Sequence, residues 1–432
     1  MEQARSHARS GARTVREPAR ETPVLAETQV LVVGGGSAGV SAAVAAAREG
    51  ADVMLVERYG QLGGLATGGL IILLLTLDDG LGRQVVSGLC QELTDRLAKR
   101  GAAVAPPREQ WNSTDLERVK HYARWGLVWG KGPHRVRYSV AYDAEEAKLA
   151  LAQMVTDAKV RLLLHCWACD PIVDGARLCG VAFQGKSGRF AILADVVVDT
   201  TGDGDVYALA GAPFESEKVF PWLWFRMGGV QGVESAIDAK GEFFHTPGEG
   251  RVLFPWGATG RIDRQIDATN PEDLTYAELE CRRMVMDEVD HLRRELPAFA
   301  RAHLCDVATQ LGVTESRRLG GEYVLARDDA DKSFPDTIAL TGNWTKYETL
   351  YSIPYRSLLP RGLDNLIAAG RCISVDHRVH HSTKEIPPCM ATGEAAGTAA
   401  AMAASGGGAL RALSVETLRA KLRAHGAIVD PP

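Results

Sequence analysis

The sequence predicts an α/β protein built on a doubly wound, Rossmann-like parallel sheet, with an α+β layer inserted into it. Three observations carry that expectation. Residues 28–57 read as strand, glycine turn, helix, strand and terminal acid. A second buried run, Phe190-Ala-Ile-Leu-Ala-Asp-Val-Val-Val-Asp199, ends in the acid–glycine turn Thr200-Thr-Gly-Asp-Gly-Asp205. Near the C-terminus the short strand Leu366-Ile-Ala-Ala369 enters Gly370-Arg371, and a small-residue helix opens at Pro387.

The first unit is the most specific. Gln29-Val-Leu-Val-Val33 is a continuous apolar run, as a strand buried on both faces requires. Gly34 permits a tight turn, Gly36 lets the backbone approach a pyrophosphate, and Gly39 lets helix and strand pack closely. The alanine-rich stretch from Val40 to Glu49 is strongly helix-forming and stops at Gly50. Its first-turn amides, beside Ser37 and Ala38, and its positive end would face the phosphates. Asp52-Val-Met-Leu-Val56 is the second strand, and Glu57 follows 18 residues after Gly39, placed to accept from ribose hydroxyls.

Gln61-Leu-Gly-Gly-Leu-Ala-Thr-Gly-Gly69 reads as a second backbone segment lying over the dinucleotide, or as a flexible loop. The apolar stretch Leu70–Leu77 is too short to span a bilayer, which needs about 20 residues. Helical periodicity covers Gln84–Arg100 and Ala144–Ala158, and Trp111, Trp125 and Trp129 read as a satellite core. Residues 206–350 lose the βαβ rhythm; they carry Pro221-Trp-Leu-Trp-Phe-Arg226, Leu253-Phe-Pro-Trp256 and a long helix over 277–301. Trp222, Trp224 and Trp256 line a pocket on this reading or serve as plain core.

Composition narrows the function classes. The 432 residues hold 49 Lys+Arg against 54 Asp+Glu, a net charge of −5, which argues against a general nucleic-acid binder. Eight cysteines are too sparse for a disulfide scaffold and fit reduced, cytoplasmic thiols. Cys166-Trp-Ala-Cys169 has redox spacing by letter, but it sits in a strand whose residues three apart face opposite ways. No metal-ligand spacing is present. Residues 1–27 mix arginines and glutamates without an apolar core, so a mobile tail is expected rather than a secretory leader.

Taken together, Gly34–Gly39, Glu57-Arg58, Leu62-Gly-Gly64 with Thr67, Val198–Asp205, Thr314–Tyr323, Ile353–Pro360, Asn365–Ser374 and Pro387–Ala399 resemble the FAD-dependent oxidoreductase family of the glutathione-reductase-like flavoproteins. The resemblance implies a Rossmann-like FAD-binding domain with an inserted α+β substrate domain. Its parts would be 28–210, with a helical insertion near 80–135, and 350–432, around a substrate domain at 211–349. It further implies that Gly34, Gly36, Ser37, Ala38 and Gly39 hold the FAD pyrophosphate and that Glu57-Arg58 binds the adenosine side. Gly63, Gly64 and Thr67 would border pyrophosphate and flavin, and Cys166 and Trp167 the adenine. Gly202 and Asp203 would approach the cofactor chain, Gly370 and Arg371 the phosphates and ribityl, and Met390, Ala391 and Thr392 the flavin.

The family's usual histidine matches His377, and Lys384 stands where an arginine is common. Lysine offers a point charge rather than a bidentate fork. The leading expectation is a dehydrogenase or oxidase that takes hydride from a C–H or C–N bond of a small polar substrate. His377, His380 and His381 are candidate bases. Lys384, Arg317, Arg318, Tyr355 and Arg356 are candidate substrate contacts; Arg317, Arg318 and Tyr355 read equally as structural. Alternatives are an NAD(P)H-dependent flavin monooxygenase, a tRNA-modifying flavoprotein and a redox-neutral FAD-binding protein. The partner expected is a small molecule, with neither nucleic acid nor membrane.

Overall fold

The computed structural model describes residues 13–255, 262–407 and 409–432. Trp256, and the tail arginines Arg5 and Arg9, lie outside the described residues.

Seven strands form the central sheet: β1 (Val24–Val33), β2 (Val53–Val56), β3 (Arg161–Leu163), β4 (Trp167–Asp174), β5 (Arg177–Gly185), β6 (Gly188–Asp199) and β7 (Leu366–Ala368). The parallel part runs in the order β3-β2-β1-β6-β7. The strand β6 is long enough for two partners on one side. Its first half pairs antiparallel with β5, which continues to β4, and its last three residues pair with β7. Register aligns the carboxyl ends: Val33 is opposite Val56 and Asp199, Val56 opposite Leu163, and Ala368 opposite Asp199. The glycine turns and the terminal acid all leave the sheet at this edge, where doubly wound sheets bind ligands.

Val30 to Val33 are buried on both faces, as their unbroken apolar run requires. The strand begins at Val24, earlier than the expected end of the tail at residue 27, because Val24–Thr28 pair with Ala191–Ala194 of β6. Helix α1 (Ser37–Arg48) covers one face of the sheet, and α2 (Ala144–Asp157) makes the crossover into β3. Helix α3 (Pro271–Glu295) starts six residues earlier than periodicity predicted, with Asn270 accepting from the amides of Glu272 and Asp273. Helices α4 (His377–Thr383) and α5 (Ile386–Ser405) follow β7. Glycines let α5 lie directly on α1: a Cβ at Gly393 would come within 2.2 Å of Ala38 O, and one at Gly397 within 2.0 Å of Ala42 O.

The inserted layer is a four-stranded antiparallel sheet, Phe244–His245, Val252–Phe254, Phe225–Gly228 and His303–Val307. Its core is an aromatic cluster of Phe225, Phe243, Phe254 and Phe299. Buried Arg226 fastens this sheet to the dinucleotide half by binding Asp306 within the layer and Asp143, the N-cap of α2, at 2.8 Å. No helix among the described residues is long and apolar enough to cross a membrane.

One buried carboxyl makes stability pH-dependent. Glu394 on α5 accepts the Leu89 amide at 2.9 Å, at the start of the helix Leu89–Lys99. Burial pushes its carboxyl up to about 7, against the pull of that amide and of Arg48. The folded chain thus keeps a proton that an ordinary glutamate loses near 4.5. This contribution to stability is complete below about pH 4.5 and is lost as pH rises through about 7. Glu394→Gln should gain on the wild type by about 1–3 kcal/mol between about pH 5 and pH 8 in denaturant melts. An equal gap at both pH values would contradict this.

Candidate active site

The first wall of the site is the turn between β1 and α1. Gly34 has φ +102°, and a Cβ there would lie 2.5 Å from Thr200 O. A Cβ at Gly39 would lie 1.8 Å from Gly34 O. Both glycines are therefore demanded by the chain's own packing. Gly36 is different: it is the N-cap of α1 at φ −64°, and a Cβ there would meet nothing within 4 Å. The space it leaves open lies in a cleft also lined by Ser37, Ala38, Gly63 and Gly64. No side chain caps α1, so its first amides are available to a ligand.

Glu57 sits beside this turn with its carboxylate fixed by two amides, Gly35 N–H at 2.5 Å and Tyr59 N–H at 2.8 Å. Each oxygen retains a lone pair for a sugar hydroxyl. The Arg58 guanidinium lies 5.0 Å from the ring centres of both Tyr59 and Trp167, and Cys166 and Trp167 complete this end of the cleft. Cys169 occupies an irregularity in the β4–β5 pairing, and both cysteines are free.

The second wall is the turn after β6. Fully buried Asp199 accepts from Thr201 N, Val206 N and Tyr207 N and so shapes residues 200–207. This presents Gly202 and Asp203 to the cleft. Asp203 binds Arg371 Nη2 at 2.9 Å, while Arg371 Nη1 is buried without a partner. Asp205 is pushed up to about 6 by burial and by Asp203 and Asp199, against Arg317.

The third wall is the β7–α4–α5 segment, which borders both the cleft and a second cavity of about 970 Å³. The cavity's apolar wall includes Leu65, Ile71, Leu73, Leu75, Trp129, Phe220, Trp222, Trp224 and Trp344. His377, His380, His381, Lys384 and Glu385 gather on its polar side. Exposed His377 places Nδ1 3.0 Å from Glu315. His380 is buried, its Nε2–H donating to Arg371 O at 3.0 Å, and burial with nearby Lys384 and Arg371 holds it neutral. His381 packs on Trp344 at 4.8 Å between ring centres, and burial and Lys384 push it down to about 4.

Several expected site residues lie elsewhere. Tyr355 is buried and donates its hydroxyl to Leu410 O at 3.0 Å. Arg356 pairs with Asp336, and Arg317 with Asp205 at 2.9 Å. Arg318 is buried between Glu315 and Glu215. Thr67 donates to Leu62 O at 2.6 Å and supports the Gly63–Gly64 turn from behind. Helix α5 starts at Ile386, one residue before the Pro387 start read from the sequence, so Met390, Ala391 and Thr392 lie about a turn inside it; of this stretch Ile386 and Cys389 line the cleft. Thr392 accepts instead from Gly370 N–H at 3.2 Å. Sequence reasoning did not find Leu65, Trp344 or Glu385. Only Glu385 left a trace, as an acid two residues before the pair Pro387-Pro388.

The cleft fits FAD on two counts within the chain: the room kept open at Gly36 and the unpartnered Arg371 Nη1. Comparisons with known proteins agree. A family described as FAD dependent oxidoreductase matches residues 29–422. Digeranylgeranylglycerophospholipid reductase 2 of Methanopyrus kandleri is 27% identical over 257 residues, 56% of this chain. The match spans only 57% of that protein's length. The p-nitrophenol 4-monooxygenase of Pseudomonas putida superposes with a TM-score of 0.51 at 13% identity, over 92% of this chain and 84% of that one. A geranylgeranyl bacteriochlorophyll reductase-like protein of Thermoplasma acidophilum gives 0.47 at 13% identity, over 91% and 90%. At such identities the structural likeness speaks to the fold alone. The chain belongs to the FAD-dependent oxidoreductase family, and FAD is its cofactor.

Proposed function

We propose that the protein oxidises a substrate with an apolar, ring-sized or larger body at a C–H or C–N bond, by hydride transfer. One observation carries this reading: Leu65, Arg371, Lys384 and Ile386 line both the dinucleotide cleft and the cavity, so the two spaces meet at these residues. When bound, FAD supplies a two-electron hydride acceptor at its flavin ring. The chain does the rest. The α1 amides and Gly36 hold the pyrophosphate, and Glu57 holds the ribose. The first turn of α5, at Ile386 and Cys389, directs a positive helix end to the junction. That end favours developing negative charge by about 0.3–2 kcal/mol. Tryptophans 129, 222 and 344 close the cavity around the substrate and displace water, which strengthens every polar contact at the junction. The cavity is larger and more apolar than a small polar substrate requires.

The test is anaerobic mixing of the FAD-loaded protein with benzylamine, benzyl alcohol, aliphatic amines, amino acids and NAD(P)H. Bleaching of the flavin absorbance by an aromatic or bulky aliphatic compound is the expected result. Bleaching by NAD(P)H alone, accelerated by such a compound, would replace this reading with a monooxygenase. Tight FAD with no bleaching by any of them would leave a redox-neutral role.

A further inference from the structure

Hydride removal from a C–H bond needs a partner that takes a proton from the adjacent O–H or N–H. The three histidines at the junction are poorly placed for this. His380 spends its N–H on Arg371 O, His381 faces Trp344, and His377 is exposed and bound to Glu315. Glu385 differs from all of them. It is the N-cap of α5, yet its side chain accepts no capping hydrogen bond. The reason is covalent: an N-cap side chain accepts from the amides two and three residues on, and here those residues are Pro387 and Pro388, which have none. The carboxylate is released from helix capping and lines the cavity, its side chain only 12% exposed, with Lys384 Nζ at 3.5 Å.

We propose that Glu385 is the acid–base residue of this active site, exchanging a proton with the substrate, and that Lys384 is its positioning partner. The inference rests on the proposed function. In the oxidation, the substrate's N–H or O–H proton passes to a Glu385 oxygen. The C–H hydride leaves with its electron pair for the flavin of FAD, and the electrons of the broken N–H or O–H bond become the second bond of C=N or C=O. Among the described residues, the other ionisable groups lining the cavity are Lys384, Arg371, Glu315, Glu217, Lys218, Glu242, Glu288 and the three histidines, with Cys389 one turn along α5; Glu217, Glu315 and His377 form a cluster of their own. Burial raises the Glu385 carboxyl and Lys384 lowers it, so it is a stronger base than an exposed glutamate.

The experiment uses FAD-loaded wild type, Glu385→Gln and Glu385→Asp, with folding checked by circular dichroism. Benzylamine, or whichever compound of the panel above bleaches the wild type fastest, is the probe. Glu385→Gln should bleach about 100-fold more slowly or worse, lose the rising limb of the pH–rate profile and keep its dissociation constant, read by tryptophan quenching, within about threefold. Glu385→Asp should recover part of the rate. Glu385→Gln bleaching within about threefold of wild type would overturn the assignment. If nothing bleaches the wild type, the proposed function fails and infrared difference spectra decide Glu385 separately. A protonated-carboxyl band that persists above the ordinary glutamate range, and vanishes in Glu385→Gln, supports the assignment. Identical spectra refute it.

Discussion

Gly36→Val is expected to fold as the wild type does and to purify without FAD. The physical case is a contrast between two glycines of one turn. Gly36 has φ −64°, an ordinary value for any residue, and a Cβ there touches no atom of the chain within 4 Å. No atom of the folded protein crowds the new Cβ. What the valine fills is the space beside the α1 amides, where the pyrophosphate belongs. Overpacking a tight contact costs about 1–3 kcal/mol, and losing aligned amide contacts adds to it, so FAD affinity should fall at least 100-fold, about 3 kcal/mol. Gly34→Val should behave in the opposite way. With φ +102° and Thr200 O 2.5 Å from the new Cβ, it should lower the melting temperature itself. Thermal melts of the apoproteins and flavin-fluorescence titrations separate the two effects. Wild-type FAD affinity in Gly36→Val would contradict the cradle.

The second large effect is expected from Asp78→Ala. Asp78 and Arg137 form an ion pair with side chains 0% and 1% exposed. Asp78 accepts Arg137 Nε at 3.0 Å, Gly80 N at 3.1 Å and Tyr138 N at 2.8 Å. Arg137 also donates to Asn343 O at 2.8 Å and Thr76 Oγ1 at 3.1 Å, tying the 76–80 loop to the segment that carries Trp344. Removing the carboxylate strands a guanidinium in the core. Such losses cost about 3–5 kcal/mol, whereas replacing both partners with apolar residues can be nearly neutral. Denaturant unfolding should therefore show Asp78→Ala strongly destabilised and Asp78→Leu/Arg137→Met much less so. Equal losses in the single and double variants would show that packing, not the stranded charge, sets the cost.

What could be read in the sequence follows the range of the interactions. The β1–α1–β2 unit was legible because its glycines, helix and terminal acid all fall in one continuous stretch, residues 34–57. The junction was legible only in part: Arg371 and Lys384 stood in recognisable segments, but Leu65, Trp129, Phe220 and Trp344 come from four separate stretches, and only tertiary packing brings them to one cavity. Tyr355 stood in a family motif, but its hydroxyl is satisfied by a carbonyl 55 residues away, which no local pattern reveals. Asp78 and Arg137 lie 59 residues apart and look like ordinary surface charges in the sequence. The start of β1 at Val24 was hidden for a related reason, since Val24 and Leu25 are exposed and only their pairing partners on β6 make them a strand.

The meeting of cleft and cavity underlies both the proposed chemistry and the role given to Glu385. A crystal structure of the FAD-loaded protein measures it directly. The pyrophosphate should lie within hydrogen-bond reach of the Gly36–Ala38 amides, with the flavin ring among Leu65, Arg371, Lys384 and Ile386 and one face open to the tryptophan-lined cavity. A ring held away from those residues, or walled off from the cavity, would contradict the account.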